Sequence, residues 1–86
     1  MLKIYKISQN MNNGYDTYDK AIVVAENEEQ AKRIHPNGNE TINGNTFDEY
    51  SSSWTYEVSD VKVEYIGEAD KKFNIPQVIC ASFNAG

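Results

Sequence analysis

Short hydrophobic segments alternate with polar, turn-rich stretches along this chain, and this pattern is typical of a small sheet. Strands are predicted where β-branched and aromatic residues concentrate or alternate with polar ones. These segments are residues 2–8, 21–25, 54–58, 61–65 and 77–83. The 21–25 run is apolar throughout and predicts an interior strand covered on both faces. The apolar positions change parity between Val58 and Val61, so a bulge or break is expected near Ser59.

One helix is predicted, beginning after Asn27 and ending before Pro36. Asn27 is a favourable N-cap, and Gln30 lies three residues later, a variant of the capping box. Ala31 and Ile34 give the helix a narrow apolar stripe that should face the sheet. At roughly eight residues the helix is too short to be stable alone in water, so packing must hold it in place.

These elements predict an α+β fold, with one domain over residues 1–86. The expected sheet has four or five mainly antiparallel strands with one short helix on one face, in the order ββαββ. One short helix cannot cover both faces, so the other face is expected to expose aromatic residues or to pack against a second copy. We therefore expect a homodimer. The aromatic candidates for this far face are Tyr5, Trp54, Tyr56 and Tyr65.

Composition and charge exclude several classes of partner. The chain has 86 residues and a net charge of −5, from thirteen acidic and eight basic side chains. Direct binding to nucleic acid or to an anionic membrane surface is therefore not expected, because both need clustered Lys and Arg. No apolar run is long enough to span a bilayer, and the N-terminal residues do not have the pattern of a signal peptide. A cytoplasmic protein is expected, in keeping with its lone cysteine.

The residues needed for catalysis or metal binding are scarce. The chain has one histidine, His35, and one cysteine, Cys80, and the thiol is expected to be inert packing in a core strand. Zinc needs more Cys and His ligands than these, and no calcium-binding loop is present. We therefore predict no catalytic residues, no metal and no cofactor, and a protein that is not an enzyme.

A cationic turn and several aromatic residues form the best candidate ligand site. Arg33 offers a planar guanidinium for a phosphate group, and His35 lies two residues further on. Aromatic rings at Tyr15, Tyr18 and Trp54 are available to stack on a base. A simpler explanation is also open, in which the basic residues only complement the negative end of the helix dipole.

Two blocks of sequence carry a resemblance to known proteins. They are YDTYD at residues 15–19, leading into AIVVAENEEQAKRIHP at 21–36, and ICASFNAG at 79–86. In these blocks the chain resembles a group of short phage and prophage proteins, for which no functional residue can be carried over. The resemblance implies a phage protein acting in an infected bacterial host. Small phage accessory proteins of this size often counter host defences by binding.

Two functions from different classes follow as hypotheses. The first is a non-enzymatic counter-defence protein that sequesters a small phosphorylated, nucleotide-derived signal through the five residues of the candidate site. The second is a protein–protein inhibitor of a host defence effector, of the anti-CRISPR type, whose acidic surface competes for a basic groove. A structural or regulatory phage component is a third possibility that the sequence leaves open.

Overall fold

The computed structural model describes residues 2–10, 17–36, 54–55 and 57–84. For residues 83 and 84 it describes the backbone only. Within these residues the elements follow one another as strand, strand, α-helix, 3-10 turn, strand and strand. They are β1 (Lys3–Ser8), β2 (Thr17–Ala25), α1 (Glu28–Lys32), the 3-10 turn (Val58–Asp60), β3 (Lys62–Glu68) and β4 (Gln77–Asn84). The four strands make one antiparallel sheet in the order β3-β1-β2-β4. The expected α+β class is confirmed.

The two central strands hold the core on the face that carries α1. Tyr5 and Ile7 of β1 lie opposite Val23 and Ala21 of β2, and all four are buried. Because side chains alternate along a strand, these residues point to the same face of the sheet. The same face is closed by α1 and by the segments that flank it. The core consists of Tyr5, Ile7, Ala21, Val23, Ala25, Ala31, Ile34, Trp54, Val58 and Val61.

Two aromatic residues expected on the far face lie in this core instead. Tyr5 is 3% exposed and Trp54 is 0% exposed, so the expectation that they remain uncovered is wrong. Both parities of β1 carry apolar residues, and only the packing of α1 decides which parity is buried. Tyr65 is half-exposed, but it pairs with Tyr5 and so lies on the helix side of the sheet and not on the far face. Tyr56 lies outside the described residues.

The helix begins as predicted and ends early. The Asn27 side chain accepts a hydrogen bond from the Gln30 backbone N–H at 2.8 Å, as an N-cap should. The Gln30 side chain in turn accepts from the backbone N–H of Glu26, one residue before the cap, at 2.7 Å. The helix spans five residues and not about eight. It stops because Ile34, together with the two residues after it, turns into the core.

The strand predicted over residues 54–58 is wrong. Trp54 and Thr55 are buried without strand geometry, and the chain then enters the 3-10 turn Val58–Asp60. The break expected near Ser59 is therefore confirmed, and it is this turn that changes the parity before β3. Trp54 and Val58 pack in the core, but Thr55 next to Trp54 is buried as well, so burial here does not follow the alternation of a strand.

The last strand forms where predicted, but it lies at an edge of the sheet and not in the core. Among the described residues, β4 pairs only with β2. Cys80 is exposed, so the expectation of a packed, buried thiol is wrong. Apolar content alone cannot separate an edge strand from a central one, because both can be rich in β-branched residues.

We expect that Asn27→Ala lowers the free energy of unfolding by about 1 kcal/mol, because it removes the side-chain acceptor for the Gln30 N–H. Urea denaturation followed by far-ultraviolet circular dichroism measures this change. Asn27→Asp is the matched control, since a carboxylate oxygen accepts the same hydrogen bond and should retain most of the stability. Equal losses in the two variants would contradict the capping role.

Candidate functional site

Three of the five predicted ligand residues meet in one aromatic cluster. Tyr18 comes from β2, His35 follows the end of α1, and Trp54 precedes the 3-10 turn. The Tyr18 and His35 rings meet edge-on, with centroids 5.9 Å apart and planes at 88°. The centroids of His35 and Trp54 are 6.2 Å apart, with planes inclined at 56°. The cluster joins the two connecting segments to the helix-side face of the sheet.

Most of this cluster is interior. His35 and Trp54 are 0% exposed, and Tyr18 is half-buried against the core. The three rings therefore pack against each other and against the core, and edge-to-face contacts between aromatic rings stabilise such packing. The expectation that His35 lies in the last turn of the helix is wrong. The helix ends three residues before it, and His35 is buried.

Arg33 lies beside this cluster in sequence but is engaged on the surface of the helix. It is the C-cap residue of α1, and its guanidinium donates to the Glu29 carboxylate at 3.1 Å. This i,i+4 ion pair is partly exposed, so it contributes little to stability. Tyr15, the fifth predicted residue, lies outside the described residues.

The only histidine and the only cysteine of the chain lie on opposite sides of the sheet. Cys80 pairs with Ile22, whose neighbours Ala21 and Val23 point into the core. By alternation, Cys80 points away from the helix side, where His35 is buried. A Cys–His dyad therefore cannot form. Across the described residues, no three Asp, Glu, His or Cys side chains are close enough together to hold a metal ion.

One exposed apolar surface lies on β3, the edge strand opposite to β4. Tyr65 and Ile66 are adjacent and each 50% exposed, and Glu64 and Glu68 flank them. We call these four residues the β3 surface. The Tyr65 ring rests edge-on against buried Tyr5, with centroids 5.8 Å apart. This contact, and a register shift in β3 beside it, fix the position of the ring at the edge of the sheet.

The hydroxyl of Tyr65 is also fixed. It donates a hydrogen bond to a carboxylate oxygen of Glu68 at 2.6 Å. This bond raises the pKa of Tyr65 above its ordinary value of 10.0, and the negative charge of Glu68 adds to the effect. The ring is thus held at both ends while half of its surface faces water. The sequence alone indicates only that Tyr65 is an exposed aromatic residue, because its hydrogen-bond partner depends on how β3 is bent.

A groove of about 330 Å³ crosses one end of the sheet and contains none of the predicted ligand residues. It forms where the connection from β3 to β4 passes beneath the start of β1, held by a hydrogen bond from the Ala69 N–H to the Leu2 carbonyl. Its lining is Leu2, Glu26, Ala69, Asp70, Lys71, Phe73 and Asn74. The charges are mixed, so the groove does not select a ligand of one sign.

Comparisons with known proteins add no assignment. No family model, curated protein or solved structure matches the chain. In the described part of the chain, no helix has the length and apolar character needed to cross a membrane.

We expect the fluorescence of Trp54, the only tryptophan, to be that of a buried indole. Its emission should lie at short wavelength and resist acrylamide until urea unfolds the chain, because the ring has no exposed surface. N-acetyltryptophanamide provides the fully exposed reference. A panel of cyclic and linear nucleotides should leave the emission unchanged. Quenching by a nucleotide would instead place Trp54 in a ligand site.

We expect Tyr65 to ionise at higher pH than an ordinary tyrosine, because ionisation breaks its hydrogen bond to Glu68. Alkaline titration of tyrosinate absorbance measures this, and Tyr65→Phe identifies its contribution. Glu68→Gln should return the pKa toward 10.0. The associated stability is present below pH of about 10 and is lost as the pH rises through the raised pKa. An identical titration in Glu68→Gln would exclude this coupling.

Proposed function

We propose that this chain is a non-enzymatic binding protein of the phage counter-defence class, acting in the cytoplasm of the infected bacterial host. Its proposed activity is inhibition of a host defence protein through the β3 surface. The phage assignment rests on the resemblance of residues 15–36 and 79–86. The protein partner rests on one observation, the adjacent half-exposed side chains of Tyr65 and Ile66 on an edge strand.

The β3 surface has the chemistry of a protein-binding anchor. Tyrosine is enriched at the energetic centres of interfaces, where its ring is buried and its hydroxyl keeps a polar partner. Covering Tyr65 and Ile66 with a partner would be favourable by roughly 25 cal/mol for each Å² of apolar area removed from water. Contacts with Tyr5 and Glu68 already restrict the Tyr65 ring, so its binding costs less conformational entropy.

Charge favours a basic partner. Glu68 pairs with Lys3 and lies on the same face of the sheet as Tyr65, whereas Glu64 pairs with Lys6 and points to the opposite face. The whole chain has a net charge of −5. The Glu68 carboxylate beside Tyr65 and the negative charge of the chain steer a basic surface toward this region and disfavour an acidic one. Lys6 and Lys3 lie opposite these two glutamates on β1, so the surface is not a continuous row of negative charge. A compact basic groove suits this arrangement better than a duplex-binding channel.

The separation of Cys80 from His35 supports a non-enzymatic role. A nucleophile must lie within hydrogen-bond reach of its base, and the sheet stands between these two side chains.

Sequestration of a nucleotide is the second candidate, favoured by the convergence of Tyr18, His35 and Trp54. The burial of two of these rings makes this candidate weaker than a protein partner. A stacking ring must offer a face to the base, and the His35 and Trp54 rings are fully covered in this conformation. The Arg33 guanidinium would also have to exchange its Glu29 partner for a phosphate.

A phage infection assay tests the proposed function. The chain is expressed in bacterial strains that each carry one defence system, including CRISPR–Cas and cyclic-nucleotide signalling systems, and plaques of a sensitive phage are counted. We expect the wild-type chain to restore plaques against one system, and its purified effector to bind the chain. Ile66→Lys should abolish both effects, because it places a charge in the apolar centre.

Ile75→Lys is the matched control, since Ile75 is 61% exposed but lies away from the β3 surface. It should behave as wild type. Full activity of Ile66→Lys would contradict a role for the β3 surface. Loss of activity in Arg33→Gln, together with a nucleotide-dependent rise in Tm of the wild type, would establish the nucleotide alternative. Protection against none of the systems would contradict the counter-defence assignment.

A further inference from the structure

In the part of the chain that the structure describes, the edge strand β4 has few of the features by which sheet edges usually avoid pairing. Its eight residues, Gln77–Asn84, include no charged residue and no proline. Ile79, Cys80, Ala81 and Ser82 are all exposed. No other described strand pairs with the outer side of β4, and backbone groups beside small and apolar side chains favour addition of another strand there.

The opposite edge shows how this sheet protects a strand. β3 carries Lys62, Glu64 and Glu68, and its register against β1 shifts beside Tyr65. Charged side chains and bulges of this kind discourage pairing along an edge. β4 has one register shift, at Ile79, and pairs residue by residue with β2 from Cys80 to Ser82. The two edges therefore differ in chemistry, and β4 is the one open to a further strand.

We infer that β4 pairs antiparallel with β4 of a second copy of this chain, and that the two sheets join into one. This dimer goes beyond the proposed function, because it uses the edge opposite to the β3 surface. It also relocates the expected homodimer from the far face of the sheet to its edge.

The distribution of charge favours a second copy of this chain as the partner of β4. A foreign strand selected by charge would need a charged residue to recognise, and β4 offers none. Two copies with a net charge of −5 each repel wherever their acidic residues approach. Glu64 and Glu68 lie on β3, three strand spacings or roughly 14 Å from β4, which exceeds the screening length in physiological salt. Pairing through β4 therefore keeps these acidic residues apart.

Symmetry places Cys80 at the centre. In a two-fold antiparallel pair, one residue lies opposite its own copy, and Cys80 is close to the middle of β4. With Cys80 on the axis, the exposed Ile79 of one copy lies opposite Ala81 of the other. Beside Ala81 is a shallow apolar depression of about 170 Å³. Its lining is Lys20, Ala21, Ile22, Cys80, Ala81 and Ser82.

Native mass spectrometry of the purified chain, with and without a substitution at Ile79, tests this dimer. The wild type should have twice the mass of one chain. Ile79→Lys should have the mass of one chain, because the two-fold axis brings the added ammonium group and its copy into the interface. Ile66→Lys is the matched control, a half-exposed isoleucine on the other edge strand, and it should remain dimeric. Circular dichroism confirms that each variant is folded.

Disulfide trapping tests the register. Diamide oxidises two thiols to a disulfide and takes up their two protons and two electrons, so Cys80 on the axis should give a covalent dimer without loss of structure. Opposed residues of an antiparallel pair have Cα atoms about 4.5–5.5 Å apart, within the range of a disulfide. Cys80→Ser should remain a non-covalent dimer and give no crosslink.

Each remaining outcome overturns the inference. A wild-type chain that stays single has no such dimer, whether or not β4 accepts a foreign strand. A dimer that persists in Ile79→Lys is built elsewhere, and one that does not crosslink overturns the register with Cys80 on the axis. The proposed function is tested separately from the dimer. Ile79→Lys should still bind the defence effector as a single chain, whereas Ile66→Lys should form the dimer but not bind the effector.

Discussion

The structure depends on closing one face of a four-stranded sheet with very little helix. Within the described residues, α1 has five residues and buries only Ala31 fully. The rest of the cover must come from the chain on either side of it, and Ile34, Trp54 and Val58 supply it. Hydrophobic burial on this face is the main favourable contribution available to so small a chain, so the rings of Tyr5, His35 and Trp54 are buried.

This requirement decides which residues are available for function. His35 and Trp54 have the chemistry of a ligand site, yet both are fully buried on the helix side of the sheet. Arg33 ends the helix and pairs with a carboxylate on its own surface. Among the described residues, large apolar side chains are exposed on both edge strands, at Tyr65 and Ile66 of β3 and at Ile79 of β4.

The two edges are suited to different partners. β3 combines an ordered tyrosine, an exposed isoleucine and two carboxylates, which together favour a basic protein surface. β4 has no charge and presents backbone groups, which favours strand addition by an identical copy. A sheet extended through β4 would leave one β3 surface at each of its outer ends. Two binding surfaces on one rigid sheet would raise the apparent affinity for a partner with two matching sites.

The sequence alone determined the elements whose signals are local. Asn27 and Gln30 fixed the start of the helix, the 21–25 run specified a central strand, and the change of parity near Ser59 required a break. Tertiary structure decided which parity of β1 faces the helix, that Trp54 is buried, and that β4 lies at an edge. These outcomes depend on contacts between segments distant in the chain. Two faces or two positions of similar apolar content are distinguished only when the whole sheet packs.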